Sequence, residues 1–150
     1  MSMRIVLIHP DIPQNTGNIA RLCVATNCEL HLVRPLGFSI TDKHLKRAGL
    51  DYWKYLKLFI YDSLEEFVSN LNGNFYFFSS RGQRVYTSIR YEKNDWLIFG
   101  SETKGFPEII YQKFPDKIFT IPMFGPVRCL NLANSVAIVV YEGIRQMEKF

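Results

Sequence analysis

Six apolar runs of strand length punctuate this chain: Arg4 to His9, Leu30 to Val33, Leu56 to Tyr61, Phe75 to Phe78, Trp96 to Phe99 and Ile118 to Ile121. Several are nearly continuous in apolar residues. A strand with one wet face alternates polar and apolar side chains, so an unbroken run calls for cover on both faces, the situation of parallel strands sandwiched between helices. The stretches between the runs have helical or turn character. The fold class is therefore α/β, a mostly parallel sheet flanked by helices. At 150 residues the chain is expected to form one domain, residues 1–150, that buries roughly two-thirds of its unfolded surface. It contains no internal repeat, low-complexity tract or linker.

The helices have their own signals. Ser63-Leu-Glu-Glu66 fits a capping box, predicting a helix to about Leu71 that Asn72-Gly73-Asn74 then stops. A second is expected from near Asn18, with Ile19, Leu22, Cys23 and Thr26 on one side and Arg21 at the mouth of the preceding polar loop. A third spans Leu132 to about Lys149. Its apolar positions Val136, Val139, Val140, Ile144 and Met147 have helical spacing, and Ala137, Ile138 and Tyr141 widen that face. A helix apolar on more than one side has two neighbours, either within one subunit or across a subunit interface.

Other classes are disfavoured. No apolar run reaches the roughly 18 residues of a membrane span. The opening Met1 to His9 segment reads as a first strand rather than a signal peptide, which points to a cytoplasmic protein. Cys23, Cys28 and Cys129 form no C-x-x-C pair, and His9, His31 and His44 lack metal-ligand spacing, so buried reduced thiols and no metal are expected. The net charge of +4 permits a polyanionic partner.

Three turns follow apolar runs: Phe78-Ser-Ser-Arg-Gly82, Gly100-Ser-Glu-Thr-Lys-Gly-Phe-Pro107 and Ile121-Pro-Met-Phe-Gly-Pro126. Ligands of open α/β sheets bind at the carboxyl ends of strands, where glycine lets them approach the backbone. None of the three is a G-x-G-x-x-G or P-loop sequence. They are either ordinary turns or a joint set of backbone groups suited to a purine ring, depending on whether their strands are neighbours.

Taken together, Asn15-x-Gly-Asn-x-x-Arg21, Phe-Gly100-x-Glu-x-x-Gly-x-Pro107, and Ile121-Pro-Met followed by Val127-Arg-x-Leu-Asn-Leu-x-Asn134 closely resemble the three motifs of the SPOUT, or trefoil-knotted, RNA 2′-O-methyltransferases. The short length and Arg47-Ala-Gly-Leu-Asp-Tyr52 look most like the TrmL/YibK group. The resemblance covers nearly the whole chain. It implies a C-terminal trefoil knot holding S-adenosylmethionine, a homodimer, and methylation of the wobble-nucleotide ribose, cytidine or modified uridine 34, in the anticodon stem-loop of leucine tRNAs. The same reaction on ribosomal RNA, or RNA binding without catalysis, are the alternatives.

Carried over to this sequence, the resemblance implies cofactor binding by backbone groups at Phe78, Gly100, Ile121 and Cys129, with Leu130 beside them. Cys129 and Ala133 stand where the family commonly has serine. Glu102 is expected to orient a loop amide or approach the sulfonium, and Asn131 to cap the last helix or hold the cofactor loop. Arg21 is the implied catalytic residue. A guanidinium is too weak an acid to act as a base by losing its proton near neutral pH, so its expected role is to stabilise charge developing on the ribose oxygen. Lys43, Lys46, Arg47, Lys54 and Lys57 lie among Tyr52, Trp53 and Tyr55. Cations interleaved with aromatics hold phosphates and stack on bases, and Lys46 and Arg47 are the residues expected to bind RNA.

Overall fold

The structure is a computed structural model that describes residues 3–41 and 52–150. Lys43, Lys46 and Arg47 lie outside the described residues. Seven strands, β1 (Arg4–Ile8), β2 (Glu29–Val33), β3 (Leu58–Tyr61), β4 (Phe75–Phe78), β5 (Arg84–Val85), β6 (Trp96–Phe99) and β7 (Ile118–Thr120), form one sheet in the order β3-β2-β1-β6-β4-β7-β5. Every strand pair is parallel. Among the described residues the α-helices are α1 (Pro13–Thr26), α2 (Leu64–Ser69), α3 (Glu108–Lys113) and α4 (Leu132–Glu148).

The expected two-sided burial is present. On one face Ile5, Leu7, Leu30, Leu32, Leu97 and Phe99 pack with Ile19 and Cys23 of α1 and with Val136, Val139 and Val140 of α4. On the other, Val6, Ile8, Phe77 and Ile98 pack with Phe67 of α2 and Ile110 of α3. Adjacent residues of β1 thus point to opposite faces, and both are sealed. Phe77 is fully buried, with ring centroids of Phe106 and Phe114 at 5.4 and 5.2 Å. His31 is buried on this side, its ring nitrogens 2.9 Å from Tyr61 Oη and 2.9 Å from Glu29 Oε1. Burial pushes its pKa down.

Three boundaries that differ from expectation each have a local reason. Helix α1 starts at Pro13 rather than near Asn18, because proline's fixed φ and missing N–H suit the first helical position. The segment Asn15 to Arg21 is therefore helix, not loop. Helix α2 is capped as predicted, Glu66 N donating to Ser63 Oγ at 3.1 Å, but it ends at Ser69. There Ser69 Oγ and Asn70 Nδ2 both donate to the carbonyl of Glu66, at 2.8 and 2.7 Å, competing with the backbone. Strand β7 stops one residue before Ile121, since Pro122 has no N–H to continue a ladder. Short β5 and α3 were unanticipated; two and six residues are too few to establish a period.

Helix α4 buries Val136, Val139, Val140 and Gly143, while Ile138 and Tyr141 remain exposed. Cys23 and Cys28 are buried, as expected of reduced thiols, but Cys129 is exposed because its loop leaves the sheet. Among the described residues no helix is long and apolar enough to cross a membrane, and no three His, Cys, Asp or Glu side chains converge on a metal site.

Truncating Phe77 to alanine removes a ring from a site with no solvent access. Phe77→Ala is expected to lower unfolding stability by about 3–5 kcal/mol, read as a reduced midpoint in equilibrium urea denaturation.

Candidate active site

Strands β6, β4 and β7 are neighbours, so the three turns predicted from sequence share one edge of the sheet. Phe78 is in register with Phe99 on one side and Phe119 on the other. The following loops surround a cavity of about 770 Å³. Phe78, Gly100, Glu102, Ile121, Cys129, Leu130 and Asn131 all line it, joined by Asn15 from α1. Residues spread over more than a hundred positions are thus brought together, while Arg21 is not on the cavity wall.

The turn after β6 folds back on itself. Ser101 N donates to Gly105 O at 3.1 Å, and Gly105 N returns a bond to Ser101 O at 2.9 Å. A Cβ on Gly100 would lie 2.6 Å from the carbonyl carbon of Gly105, so the missing side chain makes room for the turn's own backbone. Gly105 has φ of +68°, a left-handed conformation that glycine adopts without strain. Beside it, Ser79 N bonds Phe119 O at 2.9 Å, and a Cβ on Gly82 would meet the Phe119 carbonyl carbon at 2.4 Å. Both glycines let separate chain segments lie against one another at the strand ends.

Glu102 orients backbone, the first of its two expected roles. Its Oε1 accepts from Asp11 N at 2.8 Å, and its Oε2 accepts from Ile12 N at 3.0 Å and Asn15 Nδ2 at 3.2 Å. Helix α1 has no side-chain N-cap. The carboxylate supplies acceptors at that end from a residue about ninety positions away, where the positive end of the helix dipole also favours it. Asn15 then passes the connection on: its Oδ1 accepts from Asn131 Nδ2 at 3.1 Å, while Asn131 Oδ1 accepts from Asn134 N at 3.2 Å. Asn131 therefore both caps α4 and holds the loop, the two uses foreseen as alternatives.

Asp11 forms a second tie across the same gap. Its Oδ2 accepts from Ser101 Oγ at 2.6 Å and from Thr103 Oγ1. The Ser101 and Thr103 hydroxyls, with Lys104 nearby, hold its carboxyl below the usual carboxylate range against a smaller opposing effect of burial. Neither Asp11 nor Ser101 was anticipated; each is an ordinary polar residue whose partner is distant in sequence. Asn15 was legible as part of the first motif, but without a role of its own.

At the far rim, Arg81 makes a two-pronged ion pair with Glu108, at 2.9 and 3.1 Å. Its guanidinium lies 3.7 Å from the centroid of the Tyr111 ring, and Tyr111 Oη is 2.8 Å from Ser79 Oγ. Arg21 lies exposed on α1, with its guanidinium 5.6 Å from the Tyr52 ring centroid. It makes no ion pair with any described residue. Because α1 begins early, Arg21 sits mid-helix rather than at the mouth of a loop.

The family model for the SpoU rRNA methylases matches residues 2–141. The chain belongs to the SpoU rRNA methylase family. A Geobacillus stearothermophilus relative, provisionally named a tRNA (cytidine(34)-2′-O)-methyltransferase, is 51% identical over 97% of this chain and 96% of its own. A solved structure described as giving insight into 2-OH methylation of C/U34 on tRNA superposes with a TM-score of 0.93 at 42% identity, covering 99% of this chain and 98% of that one. The AdoMet-bound rRNA methyltransferase from Sinorhizobium meliloti shares the fold at 22% identity, with a TM-score of 0.86 over 97% of this chain and 57% of its own. This SpoU chain accordingly has the SPOUT α/β fold with its trefoil knot.

Two outcomes are expected. Glu102→Gln places an amide NH2 against N–H donors at a part-buried position, and should reduce stability by about 1 kcal/mol, the low end of the penalty for unsatisfied polar groups, measured by chemical denaturation. Because the folded Asp11 carboxyl is more acidic than its ordinary value of 3.8, its stabilisation is present above that pH and lost as pH falls through the lowered value. The stability difference between the parent protein and Asp11→Asn should therefore shrink as denaturation is followed downward from about pH 5 into this acid range.

Proposed function

We propose that this protein transfers a methyl group from S-adenosylmethionine to the ribose 2′-oxygen of the wobble nucleotide, cytidine or modified uridine 34, in the anticodon stem-loop of a tRNA. The single observation that carries this reading is the cavity in which all seven residues assigned to the cofactor converge. Named relatives of nearly the same length support the substrate assignment. A cytoplasmic, single-domain enzyme acting without metal is part of the same proposal.

The residues present fit the cofactor. The volume of about 770 Å³ is within the roughly 300–1,000 Å³ of small-molecule sites. Phe78 and Phe99 stack with centroids 5.0 Å apart at the strand ends, and Ile121 and Leu130 add apolar wall, suited to a flat ring. Backbone at Phe78, Gly100, Ile121 and Cys129 would hold its polar edge. A main-chain contact at Cys129 tolerates the change from serine, whereas a side-chain hydroxyl contact would be lost, since S–H is only a weak donor. When bound, S-adenosylmethionine supplies a carbon already activated by a sulfonium, so the remaining work is alignment of the acceptor.

In this mechanism Glu102, Asn15 and Asn131 are positioning residues that hold α1 and the two cofactor loops in one arrangement. Arg21, on that helix and without an ion-pair partner among the described residues, stabilises negative charge developing on the ribose oxygen. Its exposure leaves it available to an RNA that spans helix and cavity. Lys46 and Arg47 bind RNA phosphates in this proposal. The exposed Ile138 and Tyr141 on α4 provide the seat for a second copy in the proposed homodimer.

The direct test is single-turnover methylation of an anticodon stem-loop, with the product mapped by nucleoside mass spectrometry. Methylation at nucleotide 34 should vanish when that nucleotide is 2′-deoxy. Arg21→Ala should slow transfer by about 10²- to 10³-fold while leaving affinity for S-adenosylhomocysteine within about twofold of the parent, as expected if the side chain acts on the oxygen rather than the cofactor. Failure of the parent protein to bind S-adenosylhomocysteine in calorimetry would sink the reading.

A further inference from the structure

The segment from Ile121 to Leu130 contributes Ile121, Met123, Arg128, Cys129 and Leu130 to the cavity wall, yet its apex faces outward. Phe124 is 97% exposed, the greatest exposure among the exposed large hydrophobic residues of the described chain, and Val127 is 60% exposed. A Cβ built on the adjoining Gly125 would meet nothing within 4 Å, so the apex stands clear of the other described residues. Pro122 and Pro126 bracket it and limit its backbone freedom. Ile121 anchors one end against the core, and the Asn131 cap anchors the other. Arg128 is exposed and makes no ion pair with any described residue. An aromatic ring and a guanidinium with no ion-pair partner among the described residues are thus presented on a tethered loop at the opening of the proposed methyl-donor site.

We propose that Phe124 is a stacking platform for an unstacked base of the substrate RNA, and that Arg128 on the same loop holds an adjoining phosphate. The inference rests on the methyltransferase reading and adds the residues that seat the nucleotide. Single-stranded RNA loops are read by splaying bases onto aromatic rings while cations track the backbone. A ring 97% exposed, without cover from the described residues, is organised for such contact before the RNA arrives, and an apolar partner alone would give no use to the guanidinium. Stacking onto Phe124 would keep the nucleotide unstacked at the cavity opening, where its ribose can face the donor.

The test uses the full chain saturated with S-adenosylhomocysteine and anticodon stem-loops carrying 2-aminopurine at position 34 or at either neighbour. The parent protein is expected to quench the probe at one of these positions. Phe124→Ala should abolish that quench and raise the RNA dissociation constant by about tenfold, whereas Phe124→Tyr should stay within about twofold of the parent. Affinity for S-adenosylhomocysteine and the sedimentation coefficient should be unchanged in both variants. Arg128→Gln should reduce the slope of log affinity against log salt by about one. Parent-like RNA affinity and quenching in Phe124→Ala would overturn the platform, as would a change in sedimentation showing that Phe124 is instead covered by a second copy. If the parent protein neither binds nor methylates the stem-loop, the functional reading fails as well; if it methylates and Phe124→Ala matches it in affinity and quenching, only the platform fails.

Discussion

One carboxylate joins the two parts of the molecule on which the site depends. Glu102 receives N–H bonds from Asp11, Ile12 and Asn15, so the turn after β6 and the start of α1 share a single acceptor group. Without it, the amides at the start of α1 would need other acceptors at a part-buried boundary. Asn15 and Asn131 carry the link to α4, and the Ser101 and Thr103 hydroxyls, donating to the Asp11 carboxylate, make a parallel attachment. A change in any member of this set therefore acts on the relative placement of the cavity loops and of the helix bearing Arg21, with effects that should be non-additive because the partners are shared.

The close approach of these loops is a backbone matter. Gly100 admits Gly105, and Gly82 admits Phe119, at distances no side chain would allow. The sheet order places β6 between β1 and β4, and β7 between β4 and β5. Three strand ends from different parts of the chain thereby become adjacent. Their loops can offer main-chain donors and acceptors to one ligand, so the proposed cofactor contact at Cys129 would not depend on a serine hydroxyl there.

Much of this was legible from the chain itself, because two-sided burial leaves a strong mark. The apolar runs located six of the seven strands, and the Ser63 and Glu66 pair located α2. The seven cofactor assignments came from resemblance, and they converge on one cavity. Short-range signals were less dependable where residues serve distant partners. Asn, Thr and Gly in Asn15 to Asn18 ordinarily favour turns, but Pro13 and Glu102 hold this stretch as helix. Asp11 and Ser101 carry no local pattern, since their bond spans ninety positions. The exposure of Cys129 and Phe124 follows from a loop that Pro122 lifts out of the sheet, which composition does not reveal.

The strand order also bears on how the chain is made. Strand β1 is paired on one side by β2, within the first third of the polypeptide, but on the other by Trp96–Phe99. While the protein emerges from the ribosome, that second border of β1, with its unpaired amides and carbonyls, remains open until roughly two-thirds of the chain has been synthesised. Such late closure of a buried edge favours slow maturation and exposes the nascent protein to misassociation.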